Sequence, residues 1–246
     1  GDRMKKLIAI LSLALLPIVG FASGAEPELE SADIDLRDKG SLQRGAKYFV
    51  NYCQGCRTAK YFRYERMQDF GLSIDEIKEN LIFGDNKPGD HMTIAMPVVD
   101  AAEWFGAAPP DLTLTARLKH GGADWLYSYL KGFYADDSRP MGVNNTVFPN
   151  VGMPHVLWEL QGVQQAVYKE DGHGNKVVDH LQPAVGGSMS AEEYDGVARD
   201  LAAFLVHIAE PMKLERQRIG IYVMLFLLVF FVVAIMLKKE FWKDVH

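Results

Sequence analysis

Two stretches of the chain are apolar on every face, and the sequence between them alternates short helical patterns with long unpatterned runs. Leu7 to Phe21 is apolar except for Ser12, Pro17 and Gly20. It follows Arg3, Lys5 and Lys6 and runs into Ala22, Ser23, Gly24 and Ala25. A basic start, a short proline-interrupted apolar run and a small-residue exit predict an N-terminal extension and signal peptide over residues 1–25. Ile219 to Leu237 carries no charge over 19 residues. At about 1.5 Å per residue such a helix crosses a hydrocarbon core of roughly 30 Å. A soluble helix keeps a polar face and this one has none, so a single membrane span over 219–237 is expected.

Between these ends, Ser41 is placed to cap a helix that carries Leu42, Ala46, Phe49 and Val50 and ends near Cys53. Ser73 with Glu76 forms a capping box ahead of Ile77, Leu81 and Ile82. Residues 84–110 read as loop with a short helical piece around Trp104. Thr113 to Lys119 and Ala123 to Phe133 read as two helices split at Gly121-Gly122. Residues 136–187 read as loop with weak hairpin character on either side of "EDGHGN". The clearest helix starts at the Ser190–Glu193 box. It repeats Tyr194, Val197, Ala198, Leu201, Leu205 and Ile208, and stops before Pro211. The expected fold class is therefore mainly α, with one domain over 26–212 and a membrane anchor over 213–246. Loops this long in a compact domain need something packed among them, and a large flat cofactor would serve.

Charge refines the picture. The 246 residues carry a net charge of −6, which argues against nucleic acid as a partner. Both ends are basic, so the middle is more acidic than the average. Glu26 to Asp38 opens it as an acidic, solvated lead-in. Lys213, Arg216 and Arg218 precede the span and Lys238, Lys239 and Lys243 follow it, so counting positive charges does not orient it. The signal peptide does: the domain is exported and the tail from Lys238 stays in the cytoplasm. An acidic exported face, with Asp136 and Asp137 as a candidate pair, suits electrostatic steering of a basic partner as well as simple solubility.

The candidate chemistry lies in "VNYCQGCRTAKYFRY", residues 50–64. Cys53 and Cys56 are the only cysteines, spaced C-x-x-C, and Arg57 follows them. Three chemistries compete. A redox dithiol wants its first cysteine at a helix N-terminus, whereas Cys53 closes an amphipathic run. Zinc needs two further ligands, and no paired histidines supply them. Covalent haem attachment uses both thiols and also needs axial ligands, apolar walls and cations for two propionates. Met153, in "FPNVGMPHV", is a candidate iron ligand, although a core methionine is the plainer reading. Trp104, Phe105, Tyr61 and Tyr64 are candidate walls, and Arg117 and Lys119 are candidate propionate partners.

Four stretches in order carry a resemblance: "RGAKYFVNYCQGC" with "KYFRY", "APPDLTLTARLKHGGADWLYSYLKGFY", "NVGMPHVLW", and "DLAAFLVHIAEPMKLERQRIG" leading into the anchor. Together they resemble the cytochrome c1 family, the haem subunit of the proteobacterial bc1 complex. The resemblance implies a class I-like cytochrome c domain with one haem c on Cys53 and Cys56. It implies Met153 as distal ligand, Arg117 near the propionates, and Pro110 within a haem-lining segment. It also implies electron transfer from a Rieske iron–sulfur protein to a soluble or membrane cytochrome c, an anchor beside cytochrome b, and a place in a dimeric complex at the inner membrane with the domain in the periplasm. The chain would not be an enzyme alone but a subunit of a quinol–cytochrome c oxidoreductase. Arg57 departs from the pattern, which has histidine there. A guanidinium is always protonated and offers no lone pair to iron. His120 and His155 are not placed to substitute. The alternatives carried forward are a membrane-tethered thiol–disulfide protein and a haemless structural subunit.

Overall fold

The computed structural model describes residues 27–172 and 174–243. The signal peptide expected over 1–25 lies outside the described residues. The fold is mainly α, and its core is the crossing of α1 (Lys39–Tyr48) over α7 (Ala191–Ala209). Tyr194, Val197, Ala198, Leu201, Leu205 and Ile208 are all buried, as the helical spacing predicts, and the Ser190–Glu193 capping box is formed. α1 approaches α7 at Gly45, where a Cβ would strike the Asp200 carbonyl and lie 2.7 Å from Phe204 Cβ. Beside that contact the buried Asp200 carboxylate accepts from Ser41 Oγ at 2.6 Å and from Arg44 Nε and Nη2 at 2.6 and 3.0 Å. A buried carboxylate needs such donors, because water is no longer available to it.

Ser41 is thus not the cap of α1. Asp38 is, accepting from the Ser41 N–H at 3.1 Å, and the helix starts three residues earlier than expected. The acidic lead-in is not freely solvated either. Ala32 N–H donates to Asp124 at 2.8 Å, Ala32 C=O accepts from Arg199 at 3.0 Å, and Glu30 N–H donates to Ser128 Oγ at 2.8 Å. These bonds lay it across α5 (Ala123–Lys131) and α7.

α1 continues as a π-helical turn, Phe49–Cys53, which ends the run at the first cysteine. Strand β1 (Ala59–Arg63) pairs with β2 (His91–Met92), a 3-10 helix spans Tyr64–Phe70, and α2 (Ile74–Asn80) begins at the Ser73–Glu76 box. α3 (Val98–Phe105) is the helical piece around Trp104, and α4 (Thr115–Leu118) precedes α5 across Gly121-Gly122. The expected hairpin is β6 (Ala166–Glu170) with β7 (Lys176–Leu181). Two short antiparallel pairs were not anticipated: β3 (Phe133–Ala135) with β4 (Val143–Asn145), and β5 (Gly162–Val163) with β8 (Val185–Gly186). The short helix α6 (Trp158–Gln161) lies between them in sequence. α8 (Lys213–Phe241) is one unbroken helix with no buried residue, the one helix among the described residues long and apolar enough to cross a membrane.

Candidate functional site

The π-helical turn delivers Cys53 to the end of the α1 run, and two backbone bonds close the chain tightly after it. Cys56 N–H and Arg57 N–H both donate to the Cys53 carbonyl, at 3.2 and 3.0 Å. Both thiols are free, Cys53 half-buried and Cys56 exposed. Burial pushes the Cys53 thiol up to about 12, with Arg57 opposing. A helix C-terminus adds negative potential, so Cys53 has the surroundings of a protonated thiol rather than of a redox thiolate.

Asp111 holds the next layer in place. Its carboxylate accepts from Thr58 Oγ1 at 2.6 Å, Lys60 N–H at 2.8 Å and Thr113 N–H at 3.1 Å, while Leu112 N–H donates to the Thr58 carbonyl at 2.8 Å. Burial works against its charge, but these donors outweigh it and hold the carboxyl below its ordinary value. The consequence is that Pro110 sits beside the cysteine turn, with its carbonyl 3.4 Å from Arg57 Nη1.

Met153 is brought to the same place by a separate device. Asn145, almost fully buried, donates to the Tyr129 carbonyl at 2.8 Å and accepts from Val147 and Phe148 N–H at 2.9 and 3.1 Å. Asn144 accepts from Asn150 N–H at 2.8 Å and donates to Asp136 at 2.9 Å. Asn150 itself has φ 63°, a left-handed conformation that asparagine tolerates, and Arg139 grips its side chain and carbonyl at 3.2 and 2.9 Å. The loop so fixed sets Met153 Sδ 3.2 Å from Arg57 Nη2 and 3.4 Å from the Tyr129 hydroxyl. Tyr129 stacks on Trp125 at 4.9 Å, and burial pushes its phenol up to about 12.

The structure therefore gathers Cys53, Cys56, Arg57, Pro110 and Met153 from distant parts of the sequence. It does not gather every candidate. Trp104 is 62% exposed on α3, and Tyr64, read as a possible wall, is a core residue whose hydroxyl bonds Gln54. Arg117 is exposed on α4, at a cavity it shares with Glu210 and Lys213. Lys119 lies over the Trp125 and Phe148 rings at 4.5 and 4.9 Å. His155 stacks flat on Phe133 at 4.9 Å, and burial lowers it to about 4. Sequence reasoning missed Asp111, Tyr129, Asn144 and Asn145. Only Tyr129 left a signal, its i,i+4 spacing from Trp125 on one helix face.

Two thiols one tight turn apart, followed by a side chain that meets the Met153 thioether, fit a tethered haem with one sulfur ligand. Arg57 does not fit as the second ligand: it occupies that position and presents only donors.

The cytochrome C1 family model matches residues 32–182 and 187–245. Cytochrome c1 of Allochromatium vinosum is 53% identical over 99% of this chain and 100% of its own length. A protein of Nitrosomonas europaea named ammonia monooxygenase gamma subunit is 46% identical over 99% and 100%. The mitochondrial cytochrome c1 haem protein of Saccharomyces cerevisiae is 26% identical over 85% and 68%. The two full-length relatives carry different names, and the family model agrees with the first. Haem c is the cofactor of cytochrome c1 homologues. The chain belongs to the cytochrome c1 family, whose members are electron-transfer haem subunits of membrane bc1 complexes.

Proposed function

We propose that this chain is the anchored electron-transfer subunit of a bc1 complex, taking one electron from a Rieske iron–sulfur protein and passing it to a cytochrome c. The observation that supports this best is the approach of position 57 to the Met153 sulfur, 3.2 Å apart across the cysteine turn. Cys53 and Cys56 would hold haem c covalently and Met153 would supply one axial ligand. Bound there, the haem supplies one-electron chemistry. The chain's own residues set its frame. Asp111 pins Pro110 beside the attachment turn, Asn144 and Asn145 shape the Met153 loop, and Tyr129 hydrogen-bonds to the thioether. Arg117 stays a candidate propionate partner and Trp104 a candidate haem neighbour, although both stand exposed and apart from the cysteine turn. The domain over 26–212 faces the periplasm, the anchor over 213–246 lies beside cytochrome b in a dimeric complex, and the tail is cytoplasmic.

Arg57 favours a second reading, a haemless subunit that still assembles with cytochrome b. A pyridine haemochrome assay on the purified complex separates the two. The first reading expects haem linked through both cysteines but without the low-spin His/Met spectrum, which Arg57→His then installs. Absence of covalent haem from both chains, with cytochrome b still co-purifying, would establish the haemless subunit. A thiol–disulfide role finds little support in a half-buried Cys53 thiol, raised well above its ordinary value, at a helix C-terminus.

A further inference from the structure

The corner where α7 gives way to α8 holds a cavity of about 380 Å³ that the proposed electron transfer does not use. Four basic side chains line it: Arg37 and Lys39 at the start of α1, Arg66 from the 3-10 helix, and Lys213 at the start of α8. The two acidic residues in its wall are already engaged, Asp69 by Arg66 at 2.7 Å and Glu210 by Arg216 at 2.6 Å. Arg37, Lys39 and Lys213 have no carboxylate in ion-pair range among the described residues. In a chain whose net charge is −6, the cavity is a local excess of positive charge.

His207 supplies a second, independent observation. It lines the same cavity, is 8% exposed, and its Nε2 is buried without a hydrogen-bond partner. The ring packs edge-on to Phe70 at 5.3 Å and to Phe62 at 6.2 Å. A buried ring nitrogen is costly to leave unpaired, and the ring that carries it forms part of the cavity wall.

The height of the cavity identifies the ligand. From Lys213 to the first residue of the uncharged run, Ile219, is about 9 Å of helix at ~1.5 Å per residue. Headgroup layers flank the hydrocarbon core by roughly 5–8 Å on each side. Lys213 therefore sits at the outer edge of the headgroup layer once α8 crosses a bilayer, within reach of the lipid phosphates through its four-carbon stem. Met212 and Leu214, in its wall, are 57% and 37% exposed and offer an apolar flank on the membrane side.

We propose that this cavity binds the phosphate headgroup of an anionic phospholipid. The phosphodiester lies among Arg37, Lys39 and Lys213, over the wall to which His207 belongs, and the acyl chains run along α8. A zwitterionic lipid would bring its own cation against this excess of positive charge. The inference rests on α8 spanning a membrane and not on the haem reading, so either can fail alone.

The test is native mass spectrometry of the full chain released from nanodiscs of phosphatidylcholine with and without phosphatidylglycerol. Phosphatidylglycerol should stay bound to the released chain and phosphatidylcholine should not. Arg37→Ala with Lys213→Ala should weaken retention about tenfold or more. Arg218→Ala with Lys238→Ala removes the same charge outside the cavity and should change it less than about twofold. In the unsubstituted chain the His207 imidazole ¹⁵N resonance should move on adding phosphatidylglycerol vesicles, a readout that needs no variant. Equal retention of the two lipids, equal loss in the two double variants, or a His207 resonance that stays still would overturn the proposal. Displacement by inorganic phosphate, at the concentration where phosphatidylglycerol binds, would make this a phosphate site and not a lipid site.

Discussion

Position 57 shows how far one side chain can reset a site whose scaffold is otherwise intact. Its backbone is held by the Cys53 carbonyl, its guanidinium rests on the Pro110 carbonyl and the Met153 sulfur, and its chemistry excludes iron ligation. Asp111 is the residue that keeps this contact in register. Asp111→Ala would leave Lys60 and Thr113 N–H groups and the Thr58 hydroxyl without their acceptor. A loss of about 1–3 kcal/mol follows, read as a lower melting temperature, together with faster alkylation of Cys56 as the Pro110 segment loosens. An unchanged melt would show that the carboxylate does not hold the two segments together. The pH dependence has a definite sign. The folded Asp111 sits below its ordinary value. Its contribution is therefore complete above about pH 4, where the unfolded carboxyl is also ionised. It is lost as the pH falls through the lower folded value.

Among the elements, the α1–α7 crossing sets stability. Gly45→Ala places a Cβ against the Asp200 backbone, which cannot step aside as a side chain could. A loss of about 1–3 kcal/mol is expected, and a thermal melt at or above that of the parent would refute the close approach. The same packing buries His207 and lowers it from its ordinary value through burial, with Asp69 opposing and Arg66 adding to the shift. The unfolded ring protonates near pH 6.5 while the folded one resists, so stability should fall as pH drops below about 6.5. His207→Leu should flatten part of that decline in melting temperature, and His155 should account for more of it. α7 was legible in the sequence because its capping box, its apolar stripe and Pro211 are all local signals. α1 was misread at its start because Ser41 looks like a cap locally, whereas its hydroxyl is taken by Asp200 on another helix. The Met153 loop was illegible for the same reason. Asn144 and Asn145 act through bonds to backbone groups that only the folded chain brings near, and strands of two or three residues leave no alternation to read.

At the scale of the molecule, charge is sorted along the chain: Lys213, Arg216 and Arg218 precede the apolar stretch of α8, Lys238 and Lys239 follow it, and the lead-in up to Asp38 is acidic. The acidic pair expected to meet a redox partner divides on inspection. Asp136 accepts from Ser138 Oγ at 2.5 Å and from Asn144 at 2.9 Å, and those donors hold it below its ordinary value. It belongs to the frame of the Met153 loop, so reversing its charge would disturb the site as well as any docking surface. Asp137 is exposed and free of that frame, and it is the residue on which steering can be tested cleanly. In the Arg57→His chain, Asp137→Lys should slow bimolecular electron transfer to a basic cytochrome c at low ionic strength. The difference should vanish as the Debye length shrinks to about 3 Å near 1 M salt. Asp136→Asn, by contrast, should alter the haem spectrum through the loop before it alters any salt dependence. A rate for Asp137→Lys that matches the parent at low salt would remove this face from the docking surface and leave the acidic balance of the domain to solubility alone.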